Sequence, residues 1–118
     1  MARHNELGKE GESLAADWLL QREYRILEKN WRIGHIEIDI IAQKGEWLHF
    51  IEVKTRRTRC WGGPEESVNH LKFTRWKRAV QGYLISIRHY RLIQYDIIAV
   101  ILPETGKPII EIFEDVYG

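Results

Sequence analysis

The 118-residue chain is 44% apolar and 30% charged with a net charge of +1, ordinary values for one globular domain over 1–118 and too little chain for two cores. No apolar run approaches the roughly 20 residues that cross a bilayer, and the N-terminus lacks the apolar stretch of a signal peptide, so a cytoplasmic protein with no membrane role is expected. A single cysteine, Cys60, excludes an internal disulfide and fits a reducing compartment.

Apolar or small residues at 7, 8, 11, 14, 15, 18 and 19 recur at helical spacing, predicting a first helix over 5–22 with Asn5 as its N-cap. Gly8, Gly11, Ala15 and Ala16 surround Glu12 on that helix. Two glycines cost about 1 kcal/mol each relative to alanine in a helix, which points to close approach of the helix to a sheet and delivery of Glu12 into the interface. The plainer alternative makes Glu12 a first-turn acid favoured by the helix dipole.

Residues 24–31 read as a strand, followed by a hairpin with strands near 35–43 and 46–55, both rich in β-branched and aromatic residues. A two-residue loop of Gly45 and Glu46, with glycine first as a type II′ turn prefers, places Asp39 opposite Glu52 and Glu37 opposite Lys54. Alternation puts those four side chains on one face and Ile36, Ile38, Ile40, Ile51 and Val53 on the other.

Residues 56–67, with Gly62, Gly63 and Pro64, form a loop into a second helix over 65–87, whose buried stripe is Val68, Leu71, Trp76, Val80, Tyr83, Leu84 and Ile87. Strands over 91–102 and 109–113 complete the order α-β-β-β-α-β-β. The near-continuous apolar run from Ile97 to Leu102 implies a strand buried on both faces, hence an α/β fold with a mixed central sheet and flanking helices.

Asp39 and Glu52 carry the chemistry. Carboxylates placed across from each other repel unless a cation sits between them. Oxygen ligands alone favour a hard ion, Mg²⁺ or Mn²⁺. Lys54 lies beside them, where it could stabilise charge developing on a phosphate. The bland alternative is a Glu37–Lys54 ion pair on an exposed sheet face. Charge is also segregated: residues 54–91 hold ten Lys/Arg against two Asp/Glu, with seven against ten before them and one against five after. A basic stripe beside carboxylates suits a phosphate backbone, although Lys72, Arg75, Lys77 and Arg78 could equally form a solvated helix face.

These residues resemble a known group. The helix with its glutamate and the hairpin carrying Asp and Glu-x-Lys resemble the PD-(D/E)xK nuclease superfamily and, within it, the archaeal Holliday-junction resolvases. Gly8, Gly11-Glu12, Asn30-x-Arg32, Glu37-Ile-Asp39, Phe50 to Arg56, Gly63-Pro64, Lys72 and Tyr95-Asp96 are more closely similar to the YraN-like family of small bacterial proteins. The resemblance implies a restriction-endonuclease-like core, Asp39 and Glu52 as metal ligands, Lys54 as the group orienting water or stabilising the transition state, and Glu12 as a fourth catalytic residue. The chain departs from the pattern at Ile36, where glycine is usual, and at Gln94, where arginine is frequent.

The functional expectation is a Mg²⁺- or Mn²⁺-dependent nuclease acting on DNA, on branched or flapped substrates. Arg32, Arg56, Arg57, Arg59 and Lys72 would bind the backbone, and a homodimer would suit a two-stranded substrate. A nucleic-acid-binding module with little catalysis is the alternative, and a protein whose basic helix binds an acidic partner is the third. His35 could reach the site from the Glu37 face. Trp61 in its basic loop could stack on a base, though core or loop packing is the favoured reading, and Cys60 reads as an ordinary loop residue.

Overall fold

A computed structural model describes residues 2–58, 70–87 and 92–117. The elements follow the expected order: α1 (Ala2–Gln21), β1 (Arg25–Ile33), β2 (Ile36–Lys44), β3 (Trp47–Arg56), α2 (His70–Ile87), β4 (Leu92–Ile101) and β5 (Ile109–Phe113). They build a mixed five-stranded sheet ordered β1-β2-β3-β4-β5, antiparallel except for the β3–β4 pair. Parallel neighbours require a crossover, and α2 lies within it. Because α1 begins at Ala2, Asn5 lies inside the helix and is not its cap. The expectations for Arg59, Cys60, Trp61, Gly62, Gly63, Pro64 and Val68 fall outside the described residues.

The helices cover opposite faces of the sheet because β3 alternates. Ile51 and Val53 pack with Ala15, Leu19, Ile40, Ile98 and Val100 under α1. Leu48 and Phe50 pack with Ile41, Trp76, Val80 and Tyr83 under α2. Each fully buried aliphatic or aromatic side chain contributes about 1.5–3 kcal/mol, so these two layers supply most of the driving force. Strand β4 is buried from Asp96 to Ile101, as its apolar run implied. On α2 the expected stripe holds at Trp76, Val80 and Tyr83 but not at Leu71, which is 61% exposed; Ala79 joins the buried face instead.

The β2–β3 hairpin has the expected register, from Lys44–Trp47 to Ile40–Ile51, and Gly45 takes φ 61°, the sign a type II′ turn needs at its first position. The ladder stops at Ile40–Ile51. Beyond it β2 continues paired to β1 as far as Ile36–Ile33, while β3 continues paired to β4 as far as Arg56–Ile101. The two central strands therefore part, and Asp39 does not form the cross-strand pair with Glu52 that continuing the ladder would give. The single apolar face also breaks here: Ile36 and Ile38 pack on the α2 side, Ile40 on the α1 side. Across from Asp39, between the pairs Lys29–Ile40 and Trp31–Ile38, Asn30 adopts φ 53°. A left-handed residue is unusual within a strand, and this one sits level with the switch of faces.

Candidate functional site

The candidate residues gather at the fork between β2 and β3. Helix α1 reaches it because Gly11 lies against Thr55 of β3, where a methyl group would overlap the threonine side chain. That close approach sets the next residue, Glu12, beside the Asp39, Asn30 and Glu37 side chains. Gly8 makes no such approach, since a methyl group there would meet nothing within 4 Å. On the other side α2 closes the fork. A cavity of about 200 Å³ is lined by His35, Ile36, Glu37, Asp39, Glu52, Lys72, Arg75 and Trp76.

Asp39 accepts the Val53 amide hydrogen at 2.8 Å, which satisfies the backbone donor left by the parting strands. Burial pushes its carboxyl up to about 7 from 3.8, opposed by that hydrogen bond and reinforced by Glu12, Glu52 and Glu37. Among the described residues Asp39 forms no ion pair. Burial likewise raises Glu12 above the usual carboxylate range, with a hydrogen bond from Asn30 working the other way.

Glu52 has the opposite environment. Its Oε2 receives both Lys54 Nζ at 3.0 Å and Lys72 Nζ at 2.5 Å. The Glu37–Lys54 pair considered from the sequence is absent, because Lys54 turns along its own strand to Glu52 and Glu37 pairs with exposed Arg32 at 2.9 Å. Lys72 is therefore inside the cleft. Arg56 and Arg57 are exposed, and their guanidinium groups donate to the Thr55 and Leu102 carbonyls at 2.8 and 3.3 Å.

The structure brings Glu12, Asp39, Glu52, Lys54 and Lys72 to one place, and adds Arg75, whose position on the cavity wall was not evident in the sequence. Tyr117 also approaches. The Val116 amide donates to the Tyr95 carbonyl at 2.8 Å, Tyr117 stacks on Phe73 at 4.3 Å, and its hydroxyl is raised by burial and then by Glu52. Aromatic spacing in the C-terminal segment was the available signal.

A second polar cluster lies outside the cavity. His49, Asp96 and Glu114 have ligand atoms within 4.8 Å of one another and could hold a metal ion. Asp96 is fully buried, and its oxygens are already engaged: Oδ2 by His49 Nδ1 at 2.7 Å, Oδ1 by Gln94 Nε2 at 3.0 Å and by the Asp115 amide at 2.9 Å. Gln94 Nε2 also donates to Glu114 at 3.3 Å, standing where a cation would bridge the two carboxylates. The arrangement ties the C-terminal segment to β4. Gln94 thereby has a structural task.

Residues 11–100 match the sequence profile described as "Uncharacterised protein family UPF0102". A UPF0102 protein of Flavobacterium psychrophilum is 44% identical over 99% of this chain and 98% of its own length. One from Dictyoglomus thermophilum is 43% identical over 88% and 89%, and one from Rhodococcus opacus 38% identical over 99% and 100%. No helix among the described residues is long and apolar enough to cross a membrane.

Proposed function

The chain belongs to the UPF0102 family, and from the cleft it carries we propose that it is a metal-dependent nuclease of the PD-(D/E)xK type with a restriction-endonuclease-like core, hydrolysing phosphodiester bonds in DNA. The observation that carries this reading is the fork itself. A partly buried Asp39, without an ion pair among the described residues, stands among Glu12, Glu37 and Glu52, with Lys72 on the wall of the same small cavity and Lys54 bonded to Glu52.

The residues present fit a hard divalent cation. Asp39 and Glu52 would hold it, since the donors are carboxylate oxygens; burial first, and then the neighbouring carboxylates, raise the Asp39 pKa, and a bound cation would offset both. Such an ion, Mg²⁺ or Mn²⁺, would activate water and offset charge on the scissile phosphate when bound. Lys54 stands 3.0 Å from Glu52 and is placed to orient water or stabilise the phosphate. Glu12 lies near enough to Asp39 to raise its carboxyl, where a carboxylate can take a proton. Arg32, Arg56, Arg57, Arg59 and the basic face of α2 would bind the backbone, and a homodimer would present two sites to two strands.

The test is cleavage of end-labelled single strands, duplex, flap and four-way junction with Mn²⁺ or Mg²⁺, beside Asp39→Asn. Metal-dependent cutting that the variant loses supports the nuclease. One feature favours a binding module instead: Glu52 is already neutralised by two lysines. DNA binding by both proteins with no cutting by either would select that reading.

A further inference from the structure

We propose that the cleft takes a single divalent cation, and that Lys72, reaching in from α2, supplies beside Glu52 the positive charge that a second cation would bring to the phosphate. This deepens the nuclease reading and rests on it. The Lys54 and Lys72 ammonium groups share one oxygen, Glu52 Oε2, at 3.0 and 2.5 Å. Two positive charges on one carboxylate make that arm of the cleft cationic. The opposite arm is anionic: among the described residues neither Asp39 nor its neighbour Glu12 forms an ion pair. One cation held by Asp39 and Glu52 would balance the anionic arm. A second divalent ion at Glu52 would stand against two ammonium groups.

Lys72 is not an adaptable surface lysine. Trp76, one turn further along α2, lines the same cavity and is 5% exposed, and Ala79, Val80 and Tyr83 continue the buried face. The core that docks α2 therefore also sets the Lys72 stem. Arg75, on the cavity wall and without an ion pair among the described residues, extends the cationic arm outward along the helix.

The experiment is Mn²⁺ titration of the full chain by calorimetry, for the unmodified protein, Asp39→Asn, Lys72→Gln and Lys72→Arg, alongside single-turnover cleavage and melting temperature. One ion per chain is expected, lost in Asp39→Asn. Removing the nearby positive charge in Lys72→Gln should tighten Mn²⁺ binding by about threefold or more, or admit a second ion. Cleavage by that variant should fall by about 100-fold or more, a loss typical of removing one transition-state charge partner, with Lys72→Arg recovering much of it. Two ions in the unmodified protein would overturn the inference, as would Lys72→Gln with unchanged Mn²⁺ affinity, stoichiometry and cleavage. If Lys72→Gln and Lys72→Arg both lose cleavage with an equal fall in melting temperature and no change in Mn²⁺ binding, Lys72 is merely structural and the inference fails. No Mn²⁺ binding at all would remove the nuclease reading with it. A single ion tightened in Lys72→Gln, with no substrate cut by the unmodified protein, would keep the one-cation site but overturn the nuclease reading and the phosphate role of Lys72.

Discussion

The Asp39 carboxylate holds the Val53 amide at 2.8 Å at the point where β2 leaves β3. A side chain thus takes over from the ladder, and the gap it spans becomes the cleft. The same bond anchors Asp39 in a buried, anionic setting, so its charge is costly to the fold in the absence of a cation.

That cost has a defined pH window. Well below pH 3.8 the Asp39 carboxyl is protonated in folded and unfolded chains alike. Between 3.8 and about 7 the unfolded chain releases the proton and the folded one retains it, so stability falls as pH rises and levels off above 7. The decline amounts to at most about 4 kcal/mol, the free energy of a three-unit shift. Urea unfolding in the presence of a chelator should find Asp39→Asn more stable than the unmodified protein at pH 8, with the difference vanishing well below pH 3.8. Equal stabilities at pH 8 would show that Asp39 is not held in this environment. Millimolar Mn²⁺ should stabilise only the unmodified protein at pH 8.

Two glycines on one helix should respond in opposite directions. Gly8→Ala meets open space and should stabilise by up to about 1 kcal/mol through helix propensity alone. Gly11→Ala drives a methyl group into Thr55 and should cost about 2 kcal/mol despite the same propensity gain, while displacing Glu12. Thermal melting of the pair distinguishes these outcomes.

The His49–Asp96 pair is buried on both sides, so breaking it from one side leaves an unpartnered polar group. Asp96→Ala should destabilise by about 3 kcal/mol or more, and His49→Leu combined with Asp96→Ala should cost less than the sum of the single changes. Because Asp96 also accepts the Asp115 amide, limited proteolysis of the C-terminal segment should accelerate in Asp96→Ala.

DNA affinity should fall linearly with the logarithm of salt concentration, and Arg75→Ala should reduce that slope by about 1 if its guanidinium meets one phosphate. An unchanged slope in filter-binding or anisotropy titrations would place Arg75 outside the interface. Asp39→Asn should leave the slope intact.

The sequence by itself determined the element order and the hairpin register near its turn, because these follow from local periodicity and turn chemistry. It also singled out Glu12 through the glycines that precede it, although only Gly11 proved to be a contact. The tertiary structure alone decided where β2 and β3 separate, which lysine meets which carboxylate and that Leu71 faces outward while Lys72 turns in. Those outcomes depend on strand twist and on how α2 settles over Phe50 and Ile41. Each is a balance among groups distant in sequence, and no local pattern encodes it.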